Sequence, residues 1–246
     1  MNAKAIKKSL KKFGRYVWEM FKSSIPSTFM FFCAGTILLM LTMRGETIDW
    51  TGSDVAWTVV CIVGGAAYCA LMSWANGGSH YEMLVSGNVK RMSAEQMDGG
   101  FKMSNHKEAK EYRVWKGFAI GGFTAIFTVI LGIWFGCLQA EIDSGSPSKG
   151  VAALMLIGFL ISGWSLIPLY LMNATGITIS YFISCIFALI PIAVTGGFYI
   201  AGAYARRNKR LREQMIAAKA AEAEANKVKK INYGGLPGTK PKKRKK

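Results

Sequence analysis

A run of 55 residues, 151–205, lacks any Asp, Glu, Lys or Arg. As a single helix it would measure about 80 Å, whereas the hydrocarbon core of a bilayer is about 30 Å thick. No soluble domain of this size needs such a run. The missing charges therefore indicate a membrane protein whose chain folds back on itself. The polar tetrad Asn173-Ala174-Thr175-Gly176 is the predicted turn.

Charge is also missing from three other long segments, and the 31 basic and 14 acidic residues lie between and beyond them. A charged side chain in hydrocarbon costs about 2.5–3.5 kcal/mol on insertion scales, so this segregation marks lipid-spanning helices. The sequence predicts an all-α, polytopic integral membrane protein with a membrane domain at 25–205. Its five apolar helices are predicted at 29–43, 55–75, 117–139, 151–172 and 177–205.

Cysteine and histidine are scarce and poorly placed for chemistry. The 5 cysteines lie inside apolar segments with no CxxC pair, which argues against a disulfide framework and a cysteine zinc site. His80 and His106 stand in no metal-ligand pattern, and both are expected in an exposed loop. No GxSxG, P-loop or dinucleotide fingerprint is present. We expect no enzyme activity, catalytic residue, metal or cofactor.

Residues 1–24 are predicted to form a cationic amphipathic helix, followed by a new helix with Pro26 in its first turn. Apolar side chains from Ile6 to Phe21, among them Met20, fall within one arc. Such a helix lies in the headgroup plane, where each cation gains about 1 kcal/mol from anionic lipid. A simple positive flank that orients the next helix is the alternative. The predicted lipid-surface residues are Lys4, Lys7, Lys8, Lys11, Lys12, Phe13, Arg15 and Trp18.

The polar stretch 76–116 lies between the second and third apolar segments. Asn76-Gly77-Gly78-Ser79 is predicted to stop the second helix, and Ser93-x-x-Gln96 to open a short one. Asn105 is the predicted cap of a further helix, 106–116, that runs into the third apolar segment. Forty residues of this kind can dock on the membrane domain but cannot build their own core.

Small residues recur at four-residue spacing in the third and fifth apolar segments. The row in the fifth segment is Ala193, Gly197, Ala201 and Ala205. This spacing favours close contact between helices of one chain over a homodimer face. The predicted helix-packing residues are Gly117, Gly121, Gly132, Gly136, Gly197 and Ala201.

The fifth segment also carries the features of a broken helix. A proline and glycines at membrane depth can free carbonyl groups that line a substrate or ion site, although a packing kink is the simpler alternative. The candidate pathway residues are Pro191, Thr195, Gly196 and Gly197.

The last 41 residues, 206–246, contain 15 basic and 3 acidic residues. The stretch to Lys230 is predicted to extend the last helix, and the remainder to be disordered. Such a tail can bind anionic lipid, nucleic acid or ribosome through its charge. The predicted polyanion-binding residues are Lys242, Lys243, Arg244, Lys245 and Lys246.

Five crossings cannot place every basic flank on the cytoplasmic side. Either one apolar segment fails to cross, with the fifth as first candidate and the short first as second, or the tail is translocated against the rule. We favour a cell-membrane protein with an even number of crossings and both ends cytoplasmic.

These features predict a non-enzymatic multi-pass membrane protein, an accessory or scaffold subunit. Its basic ends would engage anionic lipid headgroups or a partner in a membrane protein complex. A small transporter or channel component with a pathway at the broken fifth helix is the first alternative. A membrane factor that tethers ribosome or nucleic acid through the tail is the second.

Overall fold

The computed structural model describes residues 3–42, 52–96, 108–144 and 146–232. These residues form helices joined by short connections, with no β-strand among them, which confirms the all-α class. Five helical stretches are long and apolar enough to cross a membrane. The helices are α1 (Ala3–Thr42), α2 (Gly52–Gln96), α3 (Val114–Cys137), α4 (Gln139–Ile142), α5 (Lys149–Ala174), α6 (Ser184–Phe187) and α7 (Leu189–Asn232).

The chain divides into two compact units, 1–204 and 205–246. In the second unit, the described part is the end of α7, whose side chains are exposed from 205 to 226. Lys209 and Glu213 lie one helical turn apart there, with Lys209 Nζ 3.9 Å from the carboxylate. The predicted polyanion-binding residues 242–246 lie outside the described residues.

α1 joins the predicted amphipathic helix and the first apolar segment into one helix, with Pro26 inside it. The expected helix start at Pro26 is therefore wrong. Proline removes only one backbone donor, the one that would bond to the Lys22 carbonyl, and a helix can continue through such a loss. The serine hydroxyls just before it bond to other carbonyls of the same helix: Ser23 Oγ donates to that of Glu19 at 2.9 Å, and Ser24 Oγ to that of Phe21 at 2.7 Å.

α2 continues without a break through Gly77 and Gly78 to Gln96, so the predicted stop at 76–79 is wrong. A Cβ on Gly77 would lie 2.0 Å from the backbone oxygen of Tyr199, and one on Gly202 would lie 2.0 Å from that of Trp74. These glycines let the backbones of α2 and α7 touch, which is the physical reason for glycine inside the helix.

The predicted helix 106–116 is also interrupted. Its described part is a 3-10 turn at Glu108–Lys110, followed by extended backbone at Arg113 (φ −146°, ψ 133°). The Tyr112 N–H donates to the His80 carbonyl of α2 at 2.9 Å. This hydrogen bond docks the segment on α2 and competes with helix formation. The predicted cap Asn105 lies outside the described residues.

α5 folds back on itself at Ser162, which has non-helical dihedrals (φ −124°, ψ 23°). The ring centroids of Phe159 and Tyr170 are 5.2 Å apart. In a straight helix, 11 residues would separate them by about 16 Å along the axis. We call the two halves, 149–161 and 163–174, the arms of the α5 hairpin.

Both arms of the α5 hairpin end at the same end of the bundle. The first arm begins after Ser148, whose N–H donates to Glu141 Oε1 at 3.1 Å; hydrogen bonding by the Ser148 side chain, together with this bond from its N–H, lowers the pKa of Glu141. The second arm ends near Asn173, whose Nδ2 donates to the Ile179 carbonyl at 2.8 Å. Gln139 Nε2 donates to the same carbonyl at 3.1 Å. We call this the Ile179 end of the bundle.

α3 and the chain from Ile179 to Tyr199 run antiparallel between this end and the opposite one. Ser184 faces Gly132 near the middle, and Tyr199 faces Gly117 at the far end. We call the far end the Tyr199 end. The fold-back therefore lies in the fourth apolar segment, whereas the sequence favoured the fifth.

The fifth apolar segment is interrupted by a single hydrogen-bond gap. α6 ends at Phe187, Ala188 keeps helical dihedrals (φ −59°, ψ −21°), and α7 begins at Leu189. Pro191 has no N–H to donate to the Phe187 carbonyl four residues earlier, which accounts for the gap. The turn before this segment lies within the predicted tetrad, with α5 ending at Ala174 and Gly176 at φ 90°.

Candidate functional site

The first half of α1 has an exposed basic face, and the side chain of Lys4 lies outside the described residues. Lys12 Nζ lies 2.6 Å from a carboxylate oxygen of Glu108, so one cation of this face is paired within the protein. The exposed members of the predicted lipid-surface set are Lys7, Lys8, Lys11, Lys12, Phe13, Arg15 and Trp18.

The other side of this helix packs on protein. Tyr16 and Met20 are buried in a small core with Ile120 of α3 and Tyr199 of α7. The sequence placed Met20 in the arc that faces lipid, and the structure corrects this, because α3 and α7 cover it. The pattern of apolar residues along one helix shows which face is apolar, but it does not show whether lipid or a neighbouring helix covers that face.

A buried lysine holds the start of α3 against α1. Lys116 Nζ donates to the carbonyl oxygens of Ala109 (2.7 Å) and Glu111, and lies 5.0 Å from the ring centroid of Tyr16. The Arg113 guanidinium carbon is 5.1 Å from the same centroid. These contacts satisfy the ammonium group by hydrogen bonds and a cation–π interaction.

His80 lies on α2 and is half-buried, not in an exposed loop as predicted. Its Nδ1 is 2.9 Å from the Tyr199 hydroxyl. The Tyr112 ring stacks on that of Tyr199 with centroids 5.3 Å apart, and burial raises the pKa of the Tyr112 hydroxyl. The His80 imidazole therefore forms part of the contact between α2 and α7 at the Tyr199 end.

The glycines predicted to pack on α3 all face the chain segment from 182 to 199. A Cβ on Gly121, for example, would lie 2.2 Å from Thr195 Oγ1. The nearest atoms to the other three belong to Tyr199, Ser184 and Phe182, at 2.7–3.1 Å. The four glycines are Gly117, Gly121, Gly132 and Gly136.

Gly197 and Ala201, by contrast, are exposed. A Cβ on Gly197 would have nothing within 4 Å among the described residues. The buried face of α7 instead contains Thr195, Tyr199 and Ala203, at four-residue spacing. The row that the sequence suggested, with Gly197 and Ala201, is therefore not the row that the bundle buries.

The candidate pathway residues do not share one surface. Pro191, Thr195 and Gly196 are buried against α3, whereas Gly197 is exposed on another face of α7. Thr195 Oγ1 lies 2.6 Å from the Pro191 carbonyl oxygen and 3.1 Å from that of Gly117. The Thr195 hydroxyl fills the space between these carbonyls, and the structure does not bring Gly197 together with the other three candidate pathway residues.

A cluster of hydroxyl groups surrounds the reversal of α5. Ser162 Oγ is 3.5 Å from Thr128 Oγ1 on α3, and Ser165 Oγ is 3.0 Å from Ser184 Oγ on α6. Ser165 Oγ also donates to the Ser162 carbonyl at 3.0 Å. All four side chains are at most 2% exposed. We call Thr128, Ser162, Ser165 and Ser184 the hydroxyl junction.

Two proline interruptions lie beside the hydroxyl junction. Pro168 in the second arm of α5 leaves the Trp164 carbonyl without its helical donor, as Pro191 does for Phe187. The rings of Trp164 and Phe187 are 6.4 Å apart in an edge-to-face arrangement. The two interrupted helices therefore meet inside the bundle.

Sequence reasoning missed this junction. The segment 151–172 has the length of one crossing, so nothing in its length indicates a reversal. The available signals were Ser162-Gly163 and Pro168, since small and helix-breaking residues inside a span mark a departure from a straight helix.

In the ranges that the structure describes, no three His, Cys, Asp or Glu side chains form a group able to hold a metal ion. No protein-family model, curated protein or solved structure matches this chain. The fold defines a class only: an all-helical protein with five helices apolar and long enough for a bilayer, which is compatible with a membrane location.

Proposed function

We propose that this chain is an integral membrane protein with four crossings, into which the α5 hairpin inserts as a re-entrant element. The return of both α5 arms to the Ile179 end supports this topology. The N-terminus, the polar stretch after α2 and the tail then lie on one side. These regions, 1–24, 76–116 and 206–246, hold 7, 7 and 15 basic residues. The positive-inside rule places that side in the cytoplasm.

Cysteine labelling of intact cells tests this topology. In a chain whose native cysteines are replaced, we expect Ser146→Cys and Thr175→Cys, one at each end of α5, both to react with an impermeant maleimide from outside. Asn208→Cys on α7 is the control and should react only after permeabilisation. A Thr175→Cys variant that also needs permeabilisation would show that α5 crosses the bilayer.

Within this topology, the function supported best is non-enzymatic binding of anionic lipid in the cytoplasmic leaflet, in the role of an accessory or scaffold subunit. The observation that carries it is the exposed basic face of α1, beside the exposed rings of Phe13 and Trp18. Cations at the headgroup level gain about 1 kcal/mol each, and aromatic rings favour the interface. The tail residues 242–246 would add to the same attraction.

A lipid-dependent stability measurement tests this function. Phosphatidylglycerol should raise the melting temperature of the full chain in detergent more than phosphatidylcholine does, and salt should weaken the difference. A quadruple variant should lose most of the extra rise in melting temperature that phosphatidylglycerol gives. Its substitutions are Lys7→Gln, Lys8→Gln, Lys11→Gln and Arg15→Gln, which together remove about 4 kcal/mol of lipid interaction at low salt.

Lys149→Gln, at the Ile179 end, is the control for this experiment and should keep the full response to phosphatidylglycerol. A quadruple variant with the wild-type response would refute lipid binding by this face. Lys12 is kept in the quadruple variant, because its ammonium group already forms a salt bridge with Glu108.

A transporter or channel component is the second candidate function. It is favoured by the meeting of two interrupted helices at the hydroxyl junction, since broken helices in membrane carriers surround their substrate and ion sites. The third hypothesis, tethering of ribosome or nucleic acid by the tail, rests on residues outside the described ranges, and it requires the cytoplasmic tail that this topology provides.

A further inference from the structure

We infer that the hydroxyl junction is a binding site for an alkali cation; this inference rests on the second candidate function. The junction gathers hydroxyl oxygens from α3, α5 and α6 in the bundle interior. A hydroxyl has one donor and two acceptor lone pairs, so hydroxyls bonded to one another keep lone pairs for a further ligand. Such lone pairs in a water-poor interior suit a cation.

Two backbone carbonyls add to this oxygen set. Those of Trp164 and Phe187 lack their helical donors because Pro168 and Pro191 have no N–H. Trp164 directly precedes Ser165 in the chain, and its ring contacts that of Phe187. Carbonyls freed in discontinuous helices coordinate the coupling cations of membrane carriers. The hydroxyls of Ser165 and Ser184 are thus accompanied by a carbonyl that lacks its helical donor, one residue before the first and three residues after the second.

The neutrality of the surroundings selects a monovalent ion. The run 151–205 has no formal charge; it covers α5 after its first two residues, α6, and α7 as far as residue 205. The part of α3 from Gly117 to its end has no formal charge either. Protein sites for Ca²⁺ and Mg²⁺ rely on carboxylates, whereas alkali cations are bound by neutral carbonyl oxygens. An anion would meet oxygen lone pairs, which repel it.

The competing explanation is that these hydroxyls bond only to one another and tie the α5 hairpin to α3 and α6. Thermal unfolding of the full chain in detergent separates the two. NaCl or KCl should raise the melting temperature saturably above that in choline chloride of the same ionic strength, because a ligand that binds only the folded state stabilises it. Equal melting temperatures in the three salts would overturn the inference without any variant.

Variants locate the effect. Ser165→Ala combined with Ser184→Ala should abolish the cation-specific rise. Pro191→Ala keeps both hydroxyls but returns an N–H to the Phe187 carbonyl, and should raise the salt concentration at half-effect several-fold, roughly as one oxygen ligand is lost. Thr36→Val is the matched control, since its hydroxyl bonds within its own helix to the Phe32 carbonyl at 2.9 Å. An unaltered rise in the double serine variant would place the cation elsewhere.

Flux of radioactive sodium or a potassium tracer into liposomes distinguishes this site from the transport function. Cation-specific stabilisation without flux would support the cation site and reject the transport function. Flux without cation-specific stabilisation keeps transport and rejects the site. Loss of both in the double serine variant, with Thr36→Val unaffected, would support the two together.

Discussion

Replacing Gly77 with alanine should destabilise the bundle by about 3 kcal/mol, the upper part of the usual range for an overpacked contact. The new Cβ would lie 2.0 Å from the Tyr199 carbonyl oxygen, a backbone atom that cannot rotate away. α7 cannot easily retreat, because Tyr199 also packs on Gly117 and its hydroxyl contacts His80. Thermal or denaturant unfolding of the full chain in detergent measures the loss.

Gly64→Ala is the matched control in the same helix. A Cβ at Gly64 would have no described atom within 4 Å, so alanine should gain up to about 1 kcal/mol from its better helix propensity. Gly202→Ala, on the α7 side of the contact, should be as damaging as Gly77→Ala, since its Cβ would lie 2.0 Å from the Trp74 oxygen. Equal stabilities of the Gly77 and Gly64 variants would disprove the close approach of α2 and α7.

Truncating Trp164 to alanine should cost about 3–5 kcal/mol, as for other large aromatic side chains in a core. Trp164 is 1% exposed, and its ring lies 4.5 Å from that of Phe31 on α1 and 6.4 Å from that of Phe187. It follows Gly163 at the reversal of the α5 hairpin, where the backbones of Gly163 and Gly35 touch. The cavity would therefore open where three helices meet.

The control for this substitution is Trp115→Ala, because Trp115 is 47% exposed and fills no core. Unfolding in detergent should show the difference, together with proteolysis in the native state, which should cut the Trp164→Ala chain within α5 or its flanks. If Trp164→Ala and Trp115→Ala had the same free energy of unfolding, Trp164 would not be the residue that anchors the α5 hairpin. Trp164→Phe should recover most of the loss.

The all-helical class and the five apolar stretches were predictable because charge segregation depends only on local composition. The turn at Asn173–Gly176 was predictable for the same reason, since polar residues interrupt an apolar run there. Gly77 was misread, because a glycine that ends a helix and a glycine that admits a neighbouring backbone look alike in sequence. Only the position of the neighbouring helix distinguishes the two kinds of glycine.

The candidate site was less predictable than the fold. Thr195 and Tyr199 of α7 pack on Gly121 and Gly117 of α3, whereas Gly197 and Ala201 are exposed, because the packing of the bundle decides which row of α7 is buried. The hydroxyl junction depends on residues from three helices, among them Ser162 and Ser184, whose approach follows from a reversal that leaves no mark in segment length. Long-range pairing of this kind is fixed by tertiary contacts.

The α5 hairpin has a consequence for the order in which the chain enters the membrane. Each arm has about 13 residues and a length of about 20 Å, short of a crossing, and polar backbone exposed to lipid at Ser162 would be costly. The reversal is covered mainly by α1 and α3, which the ribosome makes before α5: Gly163 touches Gly35 of α1, and Ser162 contacts Thr128 of α3. The hairpin can therefore take its place against helices that are already made, and α6 adds the contact between Ser165 and Ser184 afterwards.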